Sequence, residues 1–396
     1  MNIVIGYRDG ISQPYINIED EPSAALPGQM VINPGVLVQG KAGDPKAEDS
    51  AVQRPNYGLS RNGSILVYRH LKQLVPEFDT FLHDTVVASL PIITHPQSAQ
   101  LDDEIQKRAD YLGARLVGRW KSGLPVVFTP KEGNDFPVDD RETGSDPQRN
   151  NDFIFDKVND QLDQSKCPFA AHIRKTTPRN DIPAANGERS AILRAGIPYG
   201  PEVTPDERQA KKTSYERGLS FVCYQSALSP GFVFMQKVWC NNQTFIVPKA
   251  GFDPIVGQAL KDTPNPTRFM TGWDADKLES DLTFSQEFVI SQGGEYFFSP
   301  SMTVLKAISR LSQLASLRHR ALEFEKTRPF EVNIREVGEV SGVLWMFITQ
   351  EARFEGYKGM DPAEIPQFEP GARDVHAERL LQEAGIKEYE FAAVLD

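Results

Sequence analysis

The order of apolar and polar residues predicts a chain in which strands and helices are interleaved irregularly. SILVYRHL, from Ser64, reads as a strand. It runs into LKQLVPEFDTFL, where Leu71, Leu74, Phe78 and Phe81 fall at helical spacing. A second helix is expected over DDEIQKRADYLGARLVGRW, with Ile105, Ala109, Leu112 and Leu116 on one face. LSFVCYQSAL and QTFIVP read as strands, and GFVFMQKVW fits either a helix or a strand. SMTVLKAISRLSQLASLRHRALEFEK predicts a long helix. Residues 17–60 and 121–166 are rich in Gly, Pro and polar residues, so they predict loops, the first with two short strands. From about Lys326 the pattern changes to a strand-like stretch and then a capped helix ending at Gly385. Strands and helices without a regular βαβ alternation predict an α+β fold.

Composition narrows the range of partners. The chain is 40% hydrophobic and 24% charged, and its net charge of −11 disfavours nucleic acid or an anionic membrane as a partner. Cys167, Cys223 and Cys240 show no C-x-x-C spacing and build neither a disulfide framework nor a zinc site. MNIVIGYRDG has too short an apolar run for a signal peptide, and GVLWMFI is too short to span a bilayer. The chain as written reads as cytoplasmic, and as secreted if a leader precedes Met1.

The common phosphate-binding, dinucleotide, zinc-protease and serine-hydrolase signatures are absent from the sequence. CPFAAHIRKTTPRND is different. It sets His172 after the small residues Ala170 and Ala171, with Arg174, Lys175 and Arg179 close behind. Small neighbours let a flat macrocycle approach the imidazole, and the cations suit carboxylates such as haem propionates. A core or surface histidine is the alternative on this stretch alone. In ILRAGIPYGPE, Arg194 precedes a Gly-Ile-Pro-Tyr-Gly bend. In ERGLSFVCYQ, Leu219 and Phe221 alternate onto one face of a strand.

GYRDGISQP, CPFAAHIRKTTPRND, ILRAGIPYG, ERGLSFVCYQ and GGEYFFSPS occur in this order between Ile5 and Leu305. Together they resemble the dye-decolorizing peroxidases, in particular the fungal ones. The resemblance implies two ferredoxin-like (dimeric α/β-barrel type) halves and one haem b per chain. It implies residues 1–120 as a remnant of the first half with the distal Asp loop. Residues 121–308 would be the haem-binding half, and 309–396 an extension of unknown role. Family members carry a long segment before the Asp loop, whereas here the loop begins at Gly6. The first half is therefore expected to be incomplete and N-terminally truncated, with Asp9 on a poorly anchored terminus.

By the same resemblance His172 is the proximal iron ligand and Asp253 its carboxylate partner, with an Asp-Pro turn as the alternative reading of Asp253. Asp9 and Arg194 form the distal face. Arg174 contacts the cofactor, and Leu219 and Phe221 shape the pocket. The implied activity is reduction of hydrogen peroxide with oxidation of dyes, phenols or other aromatic compounds. The alternative is a haem-binding or structural remnant without turnover. Tyr199 and Trp239 would pass electrons from bulky dyes at the surface.

Overall fold

The computed structural model describes residues 2–18, 24–45, 60–90, 99–132, 136–158, 161–259, 267–307 and 309. The strand and capped helix expected after Lys326 lie outside these residues. Contacts group the chain into two compact units, Met1–Val52 with Asn62–Ser299, and Gln53–Arg61 with Pro300–Asp396. In the second unit residues 302–307 are helical, at the start of the expected long helix. Everything below concerns the first unit.

A hairpin of β1 (Asn2–Val4) and β2 (Tyr7–Arg8) precedes the Asp9 loop. β3 (Ser64–Gln73) leads into α1 (Val75–Ser89) and α2 (Ala99–Val117). Next come the short helix α3 (His172–Thr176), then β4 (Leu193–Arg194), β5 (Ile197–Tyr199) and β6 (Gly218–Gln225). β7 (Val289–Ser299) completes the sheet. The five strands are antiparallel, in the order β4-β6-β3-β7, with β5 also on β6. Strands on both sides of residue 120 thus share one sheet, and the α+β reading is met.

α1 and α2 pair through their apolar faces. Phe78, Leu82 and Val86 recur every four residues on α1, and Ile105, Ala109, Leu112 and Leu116 line α2; all are buried in one cluster. Phe288 packs edge-on against Phe78 with centroids 5.2 Å apart. Burial of each such aromatic side chain is worth roughly 1.5–3 kcal/mol. α2 ends at Gly118, whose φ of +91° suits glycine and where a Cβ would lie 2.4 Å from Cγ1 of Ile173. That close approach seats α3, and with it His172, against the end of α2.

Two expected elements differ, and one that was open to helix or strand is decided. Leu71 belongs to β3, not to the helix, because the strand runs to Gln73 and Pro76 fits only the first turn of α1. QTFIVP is a series of turns in which Ile246 has a φ of +73°. GFVFMQKVW is helical, in π-type turns over Ser229–Val233 and Met235–Cys240 with a kink at Gly231.

Candidate active site

Strand register decides which side chains share a face. Arg194 on β4 lies opposite Cys223 on β6, and Leu219 and Phe221 follow at two-residue steps. Across β6, Leu71 and Arg69 on β3 pair with Leu219 and Phe221. Period-2 alternation therefore puts Arg194, Leu219, Phe221, Arg69 and Leu71 on one face. All five line a cavity of about 420 Å³, together with Asp9, His172 and Trp239. This volume falls within the roughly 300–1,000 Å³ of small-molecule and cofactor sites.

His172 begins α3, just after the fully buried Ala170 and Ala171. Its Nδ1 lies 2.8 Å from Oδ2 of Asp253. The other carboxylate oxygen of Asp253 accepts from the backbone N–H groups of Ile255 (2.8 Å) and Val256 (3.0 Å). Burial opposes charge on both groups, yet their attraction prevails. Asp253 is held below the usual carboxylate range and His172 is lifted above its ordinary value. With Nδ1 engaged, Nε2 is the nitrogen of this cavity-lining imidazole that is left for a ligand.

The other pair is Asp9 and Arg194, with Oδ1 3.0 Å from Nη1. Gly10, at a φ of +83°, turns the loop so that its N–H donates to Asp9 Oδ1 at 2.6 Å. The sequence predicted a poorly anchored Asp9, but the loop is tied down on both sides. Ile5 N–H donates to Oε1 of Gln73 at 3.1 Å. Gln13 donates from Nε2 to the Arg194 carbonyl (2.5 Å) and accepts the Arg194 N–H (3.1 Å). Arg119 is buried beneath the loop and donates from Nη2 to Ser12 Oγ and Asn151 Oδ1, each at 3.0 Å. Its Nη1 is held by the carbonyls of Gly123 and Asn150. Burial, with Arg179 and Arg194 nearby, lowers its pKa to about 9, so it keeps its charge at neutral pH.

Two expectations are corrected. Arg174 is not among the cavity's lining residues. It is fully buried, makes a two-pronged salt bridge to Asp181 at 2.6 and 2.9 Å, and donates to the carbonyls of Asp163 and Cys167. Phe155 and Phe169 cover its guanidinium. Its donors are spent on the fold around His172. Trp239 is only 4% exposed and stacks on Phe245, so it lines the cavity and is not a surface residue. Tyr199 is half-buried, with its ring 4.7 Å from that of His70. Gln13 and Arg119 were missed. A glutamine in a polar loop and an arginine just past the end of α2 carry no periodic signal of their own, and only the folded contacts give them meaning.

Comparison with known proteins returns one class of relatives. The family model described as "Dyp-type peroxidase, C-terminal" matches residues 140–245, which include His172, Arg194, Leu219 and Phe221. Dye-decolorizing peroxidase msp1 of Mycetinis scorodonius is 41% identical over 312 residues, covering 76% of this chain and 56% of that protein. The solved structure of an ancestral D-type dye-decolorizing peroxidase superposes with a TM-score of 0.64 at 44% identity, over 76% of this chain and 61% of that one. A dye-decolorizing peroxidase engineered in its heme pocket for asymmetric sulfoxidation gives 0.63 at 40% identity, over 76% and 63%. Over the matched residues the chain is similar to the dye-decolorizing peroxidases. It spans about half the length of the curated relatives it matches. Among the described residues no helix is long and apolar enough to cross a membrane.

Proposed function

We propose that this chain binds one haem b, with His172 as the iron ligand, and reduces hydrogen peroxide while oxidising dyes, phenols or other aromatic compounds. The observation that carries the reading is the meeting of two pairs on one cavity, His172–Asp253 and Asp9–Arg194. The donor set fits haem. One imidazole nitrogen is free, the wall has apolar surface in Leu219, Phe221 and Ile255, and cations are present for carboxylates. We further read the antiparallel sheet with α1 and α2 as ferredoxin-like.

Haem bound there supplies the iron centre at which peroxide takes up electrons. Asp253 keeps the proton of His172 on Nδ1 and directs Nε2 to the metal, which also makes the imidazole more basic. Asp9 accepts a proton from one peroxide oxygen and returns it to the other, so that the leaving oxygen departs as water. Arg194 holds Asp9 in place and stabilises the negative charge that grows as the O–O bond breaks. Leu219 and Phe221 exclude bulky molecules, and Tyr199 is the relay for electrons from dyes too large to enter.

The test is reconstitution. The purified chain with added haem should develop a Soret band and oxidise a dye only when both haem and peroxide are present. Arg194→Leu should keep the band and lose the oxidation. A wild-type band without turnover would favour the haem-binding remnant, and absence of a band would reject both readings.

A further inference from the structure

The cavity wall is basic in a chain whose net charge is −11. Among its described lining residues Arg8, Arg69, Arg119, Arg194 and Lys237 face a single carboxylate, Asp9. Asp9 is taken by Arg194, and Arg119 is fixed under the loop. Arg69 and Lys237 have no carboxylate partner among the described residues. Such a wall draws anions inward from an otherwise acidic surface.

Arg69 sits in a built cradle. Its guanidinium carbon lies 5.1 Å from the ring centre of Phe232 and 4.7 Å from that of Tyr296. Nη2 donates to Tyr296 Oη at 2.6 Å and Nη1 to the Tyr68 carbonyl at 3.0 Å. Directly across the sheet is Gly294, where a Cβ would come within 2.4 Å of the Tyr68 carbonyl oxygen and 2.5 Å of Cδ and Nη1 of Arg69. The side chain is therefore held between two rings and over a glycine that leaves it room. Among the described residues two of its five N–H groups are used, which leaves the rest of the planar fork for an oxyanion. Tyr296 is 42% exposed, which puts the cluster where the cavity meets solvent, and Phe221 continues the aromatic surface inward.

We propose that Arg69, Phe232 and Tyr296 form a binding subsite for a small aromatic acid, one or two rings bearing a carboxylate or sulfonate. The acid group engages the guanidinium and the ring lies on the aromatic surface that leads to Phe221. This substrate class rests on the reading of the cavity as the peroxidase site.

Calorimetric titration of the haem-loaded protein tests it, with naphthalene-2-sulfonate and its uncharged analogue naphthalene-2-methanol as probes. Wild type should bind the sulfonate about tenfold more tightly, the scale of one charge-assisted hydrogen bond. Arg69→Met should erase the preference, and Arg69→Lys, which keeps the charge but not the planar fork, should lessen it, both with the Soret band intact. Equal affinities in wild type, or an undiminished preference in Arg69→Met, would overturn the proposal. So would sulfonate binding that haem loading abolishes, since that would assign Arg69 to the carboxylates of haem itself. Absence of a Soret band would count against the peroxidase reading instead, which keeps the two failures apart.

Discussion

Gln13 and Arg194 are joined twice through the backbone. The glutamine amide donates to the Arg194 carbonyl at 2.5 Å and its oxygen accepts the Arg194 N–H at 3.1 Å. One side chain, four residues beyond Asp9, thus fixes the Asp9 loop against the strand that carries its ion-pair partner.

From this clamp follows a first expectation. Gln13→Ala should lower kcat/KM for peroxide by roughly tenfold, as expected when two backbone hydrogen bonds that align a catalytic pair are lost. The Soret band of the haem-loaded protein should be unchanged, because His172 is held from another side. Steady-state peroxide kinetics beside the visible spectrum make the measurement.

Asp9 itself should weigh more. Asp9→Asn preserves the shape near Arg194 but removes the proton acceptor, so peroxide turnover should fall by about 10²–10⁴-fold. A rate near wild type at saturating haem would remove Asp9 from the proposed role.

Arg174 should matter to the fold and not to the chemistry. Arg174→Met leaves Asp181 buried without its partner, a change that costs about 3–5 kcal/mol. Thermal unfolding should show this loss both with and without haem. A variant as stable as wild type but unable to bind haem would return Arg174 to the cofactor.

Glu207 gives the fold an acid sensitivity that can be located. Arg217 donates to it at 2.6 Å, and the N–H groups of Thr204, Ser214 and Tyr215 also donate to its carboxylate. Chiefly through Arg217, these bonds hold it well below the ordinary glutamate range. A carboxylate depressed in the folded state stabilises fully above its unfolded value, about 4.3, and the stabilisation fades as pH falls below that value. The stability gap between wild type and Glu207→Gln should therefore be constant near neutrality and shrink below about pH 4. A gap that does not vary with pH would show that protonation of Glu207 is not involved.

The sequence was most informative where chemistry and local geometry coincide. His172 after two alanines, Arg194 before a Pro-Gly bend and the alternation of Leu219 and Phe221 each carry a short-range signal, and the structure brings them to one cavity. The face of α2 was legible because Ile105, Ala109, Leu112 and Leu116 repeat with the helix period. Arg174 was misread because its proximity in sequence to His172 says nothing of Asp181 and the two carbonyls that fold around it. QTFIVP has the composition of a strand, yet Phe245 stacks on Trp239 and Ile246 adopts a positive φ, so tertiary packing prevails over propensity. Gln13 and Gly294 act through partners 181 and 225 residues away, at distances where no pattern in one sequence reaches.

The most direct test of the account is a haem titration followed by the Soret band, in wild type and in His172→Ala. Wild type should saturate at one haem per chain with the spectrum of a histidine-ligated iron. His172→Ala should lose that spectrum while keeping its fold by circular dichroism. If His172→Ala took up haem with the same stoichiometry and the same Soret position, His172 would not be the ligand and the proposed site would be wrong.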